Sequence, residues 1–339
     1  MSSTPDIMSY AYIDTKEELK ERQKLDDELW ERAKTVAKKE LREDEETKEH
    51  ALRHLREWIN KNTDIENCRT DDGFLLRFLR TKKFSLPMAE QMILKYINLR
   101  QKMSNYCCNL DYLSPSINEL INDGFVFASP NRDAKGRRVV FTIMKNFNPY
   151  KYTSVDMAKI HAITYETLLD DEKTQIFGFT HIGDGDGASA AHVTLWNFTD
   201  FATLFKWGEQ SYPMRHKEVH IVHLLPAFKF VVDFARTRVS SKMKDRLSLH
   251  NDWASLAKKV DPNVLPKEYG GKIPMATMIE MFKMELDSKR ERLLALDKMK
   301  LLSDRGIICR RNKSYHSTPN AEQFGISSLP GSFRRLQVD

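Results

Sequence analysis

VHIVHLLPAFKFVVDFARTRVSSKMKDRLSLH, residues 219–250, sets the frame for the rest of the chain. Its first six residues, Val219 to Leu224, are too apolar for a surface edge and read as an interior strand. Pro226 suits the first turn of a helix, where its missing N–H is no loss. At about 100° per residue, Phe228, Val231, Val232, Ala235 and Val239 share one arc. Phe230 and Phe234 fall almost opposite, with Lys229 and Arg236 between the two stripes. A helix apolar on two sides needs cover on both. Two readings fit: a helix sandwiched between protein layers, or a lid with one face closing an apolar cavity and the other entering a membrane surface. Charge follows. Ser240 and Ser241 are N-cap residues for a new turn. Lys242 and Arg246, at i and i+4, project together at a cost of roughly 0.2–0.5 kcal/mol, which Asp245 partly offsets. From Arg215 to Arg246, eight Lys/Arg stand against three Asp/Glu. Such a run is either a solvated face or, beside apolar stripes, the composition of a surface that meets anionic membrane.

Composition narrows the class. The 339 residues allow two domains, or one domain with extensions, and 41% apolar residues suffice for a real core. A net charge of +6 spread this thinly does not imply nucleic acid. The four cysteines, Cys68, Cys107, Cys108 and Cys309, form neither a disulfide framework nor a CxxC site. The first residues, MSSTPDIMSYAY, lack the basic and apolar regions of a signal peptide, and no run of 18 apolar residues exists. A reducing, cytosolic protein is expected.

Period and punctuation organise the remainder. Residues 1–13 read as a flexible arm, and Asp14 to Asn60 reads as helix with a narrow stripe of Leu25, Leu29, Trp30, Ala33 and Ala37. Glu43–Glu46 within it is expected to be solvated. In DDGFLLRFLRTKKF, residues 71–84, Asp71 and Asp72 suit a helix start, Phe74, Leu75, Phe78 and Leu79 form the core stripe, and Arg77 and Arg80 lie off it. From Gly124 the period changes. Phe125–Phe127, Val139–Ile143, Phe177–Ile182 and Val219–Leu224 read as strands. Helices at Ser154–Leu169 and Thr199–Tyr212 lie between them, with Trp253–Val260 and Thr277 to about Leu302 following. This alternation predicts an α/β fold with parallel neighbours.

Motifs of catalysis are missing: no GxSxG, P-loop, HExxH or GxGxxG occurs, so no enzyme is expected. Gly183–Gly187, GDGDG, shares part of a calcium loop but lacks the continuing ligands and the closing Glu, and reads as a tight turn. His181, His192, His216, His220 and His223 are numerous. His220 and His223 lie three apart on one strand and point to opposite faces, so they are read as satisfied polar groups rather than metal ligands. No metal is expected.

Three segments together resemble the CRAL-TRIO (Sec14-like) lipid-binding family: FLLRFLR at 74–80, the block from Arg138 to Arg246, and DPNVLPKEYGG at 261–271. The nearest likeness is to the branch of the α-tocopherol transfer protein, the cellular retinaldehyde-binding protein and the clavesins. The tail GSFRRLQVD, 331–339, resembles that of arthropod members. The resemblance implies an N-terminal helical subdomain (14–110), a lipid-binding domain with a mixed, mainly parallel sheet flanked by helices (111–275), a C-terminal helix (276–309) and a flexible tail (310–339). It implies a hydrophobic pocket closed by a gate helix at 225–239. Ala158, His161, Thr164, Tyr165, Phe179, Leu204, Trp207, Met214 and Val219 would line it, with Phe228, Val231, Val232 and Ala235 on the gate. It further implies a phosphoinositide site of Arg215, Lys217, Lys242 and Arg246, with Arg77 or Arg80 closing it. The function so implied is a monomeric cytosolic carrier of one tocopherol-, retinoid- or carotenoid-like molecule, with no cofactor, that visits endosomal or other internal membranes. The alternative is a lipid-sensing adaptor in signalling or trafficking.

Overall fold

The structure, a computed structural model, describes residues 16–197, 199–200, 203–204, 210–225, 233, 237 and 240–308. Trp207, Phe228, Val231, Val232 and Ala235 of the expected lining, Phe230 and Phe234, the arm at 1–13 and the tail at 310–339 lie outside the described residues.

Helix boundaries follow local side-chain chemistry. α1 (Lys16–Val36) runs into a π-helical turn, Ala37–Leu41, which ends at Arg42 with φ 65°. Asp44 then starts α2 (Glu45–Lys61) by accepting from the Thr47 amide at 2.8 Å. The helix expected over 14–60 is therefore two, separated by a left-handed residue. Glu43, expected in solvent, instead holds Arg80 at 2.9 Å. After the short strand β1 (Ile65–Glu66), Asp71 caps α3 (Asp72–Thr81), as its position predicts, accepting from Phe74 at 3.1 Å. α4 (Leu86–Lys102), α5 (Ser104–Cys107) and α6 (Pro115–Asn122) follow. Phe74, Phe78 and Tyr96 meet edge to face at the centre of this helical layer, an arrangement that adds to the area each ring buries.

The sheet is mixed and mainly parallel. Its order is β2-β3-β4-β5-β6: Val126–Arg132, Arg138–Ile143, Phe179–Asp184, His216–Val222 and Leu247–His250. Only β2 and β3 run antiparallel. α7 (Ser154–Leu168), held at its start by a Thr153–Asp156 capping box, and α8 (Glu172–Phe177) connect β3 to β4. The helix Met275–Ala295 packs on β2 and α7, and β7 (Lys300–Leu301) returns to pair with β1. The expected strand at 177–182 starts two residues late, because α8 takes Phe177 and Gly178 turns the chain at φ +86°. A Cβ at Gly178 would strike the Arg215 carbonyl oxygen, so β4 and β5 meet closely here only without one. β6 had no separate signal in the sequence: Leu247–His250 alternates but is only four residues long, with two apolar residues, Leu247 and Leu249.

LPKEYGG is a packed corner. Leu265 is fully buried, Pro266 bridges to Ile273, and Tyr269 stacks on Trp253 with ring centres 3.7 Å apart. Gly270 sits at φ +94° with nothing near where a Cβ would go. Gly270→Ala should therefore cost only the left-handed backbone term, about 1–2 kcal/mol. It should appear as a lower denaturant midpoint with an unchanged slope. A loss below about 0.3 kcal/mol would show that this corner tolerates a side chain.

Candidate functional site

The inner wall grows from one face of α7 and the facing sides of β4 and β5. His161 and Tyr165, four apart on α7, project together. Phe179 and His181, two apart on β4, share a sheet face, and His216 enters from the start of β5. Tyr165 touches Phe179 at 5.8 Å and His181 at 5.5 Å, both edge to face. His161, Tyr165, His181 and His216 are only half-buried by area, yet protein surrounds them closely enough to disfavour charge. Burial lowers the pKa of His161 and holds His181 well below the usual imidazole range. Burial, reinforced by Arg246, lowers His216 to about 4. These four side chains form one cluster of neutral, hydrogen-bonding rings between α7 and the sheet.

Of the other expected lining residues, Ala158, Leu204 and Val219 keep open area, whereas Phe179 and Met214 are buried. Thr164 is core: it is 1% exposed and its hydroxyl donates to the Ile160 carbonyl at 2.8 Å. His181 and His216 were not among the expected lining. The signal that could have found them is alternation, since each stands two residues beyond an expected lining residue, Phe179 and Met214.

Side chains of Arg215 and Lys217, either side of His216, meet Glu40 of the π-helical turn. Its Oε2 lies 2.7 Å from Arg215 Nη2 and 2.8 Å from Lys217 Nζ. Burial pushes the Glu40 carboxyl up, but hydrogen bonds and charge from Lys217 and Arg215 hold it down at about 2. Arg215 also donates to the Ile176 carbonyl, and Arg246 donates to the His216 carbonyl. Lys242 joins the group electrostatically: partial burial, then Arg246, Lys83 and Arg215, lower its pKa. Four of the expected basic residues thus stand together.

Arg77 and Arg80 do not join them. Arg77 is 2% exposed and binds Glu166 at 2.7 Å and Asp170 at 3.1 Å. Arg80 is 1% exposed and binds Glu43, Glu172 and the Gln175 side chain. Both lie off the apolar stripe of α3, but α3 is enclosed on every side, so off the stripe is not outside. Lys83, just past the end of α3 at φ 51°, is a cation from this segment near enough to help lower the Lys242 pKa.

The remaining histidines have structural partners. His220 Nδ1 meets His250 at 3.0 Å, and His223 Nδ1 meets Asp184 at 2.9 Å. Asp184 also accepts from the Asp186 amide at 3.0 Å, which fixes GDGDG as a turn. Among the described residues no group of three or more His, Cys, Asp or Glu is placed to hold a metal. No helix among them is long and apolar enough to cross a membrane.

Comparison with known proteins fits this architecture. The profile of the CRAL/TRIO domain matches residues 122–271, and that of a Pinta-like UBA domain matches 44–117. The alpha-tocopherol transfer protein-like of Mus musculus is 31% identical over 241 residues, 70% of this chain and 69% of that protein. Clavesin-1 of Xenopus laevis is 29% identical over 69% of this chain and 71% of its own length. Clavesin-2 of Homo sapiens is 27% identical over 70% and 73%. The crystal structure of Sfh5 superposes with a TM-score of 0.49 at 13% identity, covering 74% of this chain and 99% of that one. The domain match spans β2 to the LPKEYGG corner, and the mouse relative extends the likeness over two thirds of both proteins: this chain belongs to the CRAL/TRIO family.

Proposed function

We propose that this protein is a cytosolic carrier that holds one hydrophobic molecule against α7, β4 and β5 and exchanges it at anionic internal membranes. The observation that carries the reading is the stretch 215–217. His216 turns to His181 and Tyr165, while Arg215 and Lys217 turn to Glu40 and the cation cluster. In this reading a lipid space and an anion site are two sides of one strand. The name of the mouse relative, a tocopherol transfer protein-like protein, supports transfer rather than catalysis. The chemistry supports it too: burial pushes the Tyr165 hydroxyl up and His181 down, so the groups of the wall are neutral hydrogen bonders.

Burial of a large apolar ligand is worth roughly 25 cal/mol per Å² removed from water, so spontaneous release to water is slow. A membrane trigger acts by binding the release-competent state more tightly than the closed one. Phosphoinositides, whose phosphates suit clustered Arg and Lys donors, supply that difference in this reading. Organic extraction of the purified protein with mass spectrometry should recover one tocopherol-, retinoid- or carotenoid-like molecule per chain. Its transfer to acceptor vesicles should quicken when they contain phosphoinositide. Trace bulk phospholipid alone, with no uptake of any of the three classes on titration, would sink the proposal.

A further inference from the structure

An exposed hydroxyl stands directly beside the cation cluster. Ser241 opens the single helical turn Ser241–Lys244, and its carbonyl accepts from the Asp245 amide at 3.1 Å. Ser240 before it is extended, at φ −63° and ψ 159°, and both serines are exposed. The next residue, Lys242, belongs to the cluster. Its pKa is lowered by partial burial, then by Arg246, Lys83 and Arg215, with Glu40 the lesser and opposing influence. Positive charge is therefore in excess here, since Glu40 is already shared between Arg215 and Lys217. Exposed Lys244, three residues on, adds to the excess, and Asp245 offsets one charge. The sequence around the hydroxyl is RTRVSSK, residues 236–242, with Arg236 and Arg238 five and three residues before Ser241. Kinases select substrates by such charge patterns. A four-residue turn with no buried residue also opens readily into the extended form that a kinase holds.

We propose that Ser241 is a phosphorylation site, and that its phosphate takes the place of a membrane phosphate on Lys242 and its neighbours and so switches off membrane binding. The inference rests on the membrane half of the carrier reading and adds its regulation. In the transfer step Ser241 Oγ attacks the γ-phosphorus of ATP, supplied by a serine kinase that selects basic segments. The new O–P bond forms as the bond to the β-phosphate oxygen breaks. ADP leaves, and the hydroxyl proton passes to the kinase's carboxylate base. The product carries a charge of about −1.5 to −2 and three acceptor oxygens next to Lys242. That charge outweighs the charge of Lys242 itself. An anionic membrane then meets cations already engaged and a local repulsion, which is how phosphate releases basic segments from acidic lipid. Ser240 fits less well, because the two arginines stand four and two residues before it.

The test treats the full chain with MgATP and a kinase that selects arginine three and five residues before serine, and maps the phosphate by peptide mass spectrometry. Ser241 should be the principal site, and Ser241→Ala should abolish its labelling. Binding is then read on phosphatidylcholine vesicles with and without phosphatidylinositol bisphosphate. The chain with phosphoserine encoded at position 241 should bind the phosphoinositide vesicles at least about tenfold more weakly than the parent, with an unchanged melting temperature. Ser241→Ala should bind like the parent, before and after kinase treatment. The difference made by the phosphate should shrink at high salt. In a Lys83→Ala/Lys242→Ala background the same phosphate should weaken binding several-fold less, because the partners it engages are gone. A phosphate that lands elsewhere, or a phosphorylated chain that binds like the parent, overturns the inference and leaves the membrane reading standing. An equal loss without the two lysines overturns it in the same way, and so does a loss that follows a fallen melting temperature. A parent chain with no preference for the phosphoinositide vesicles removes the membrane reading and the inference with it.

Discussion

Arg77→Leu should lower unfolding free energy by about 3–5 kcal/mol, the cost of removing one partner from a buried ion pair. It should leave binding of the folded protein to phosphoinositide vesicles unchanged. Leucine fills most of the space, so the loss is electrostatic. Glu166, fully buried, would keep only the Tyr96 hydroxyl, which donates to it at 2.6 Å. Asp170 is less affected, because Arg69, Lys289 and Arg292 remain within 3.6, 3.3 and 2.5 Å. Most of the loss should therefore follow Glu166. Arg77→Leu combined with Glu166→Gln, which removes the stranded charge and still accepts from Tyr96, should recover part of the stability. The two effects should be clearly non-additive. Urea unfolding of the four proteins gives the cycle. A loss under about 1 kcal/mol with weakened vesicle binding would return Arg77 to the anion site and refute the structural role.

That correction marks how far the sequence could be read. Periodicity identified the α3 stripe, and Phe74, Leu75, Phe78 and Leu79 are all buried. It could not see that Arg77 points at a carboxylate 89 residues away and Arg80 at a side chain 95 away. A helical pattern distinguishes the stripe from the rest of the helix, but only tertiary packing says whether the rest faces water. The sheet was legible in its four longer strands because apolar β runs bounded by turns are a local signal. Leu247–His250 escaped because a four-residue strand is defined by its neighbour: its register with Val219–Val222 supplies the order that its own sequence lacks. On the face of α7 and β4, likeness of sequence pointed to His161 and Tyr165. It passed over His181 and His216, since a polar residue on an interior strand reads equally as satisfied core or as ligand anchor until its partners are known. Lys83 was missed for a related reason. It follows the helix rather than belonging to it, and its left-handed backbone sets its direction.

Lys83→Ala combined with Lys242→Ala should weaken binding to phosphoinositide vesicles by tens-fold. Each cation near an anionic surface contributes about 1 kcal/mol, and 1.4 kcal/mol is tenfold. This pair is the cleaner choice within the cluster. Arg215 and Arg246 also hold the Ile176 and His216 carbonyls, so removing either would disturb the strand as well as the charge. Glu40 predicts a change of opposite sign. It already occupies Arg215 and Lys217, as a head-group phosphate would. Glu40→Gln should therefore strengthen vesicle binding several-fold, by releasing two cations to the membrane. Acid is not the natural release. With its pKa held at about 2, Glu40 is a carboxylate throughout the physiological range. Its contribution to stability is complete above the ordinary carboxylate pKa and is lost only as pH falls from there through about 2. In the proposed reading a competing polyanion would displace Glu40 without any change of pH. Raising salt should mimic the double lysine variant and shrink the gain from Glu40→Gln, because screening acts on both. If the double variant binds like the parent at low salt, these charges are a solvated face. If Glu40→Gln leaves vesicle affinity unchanged while lowering the melting temperature, Glu40 is a clamp for the N-terminal helix, and the membrane meets the protein elsewhere.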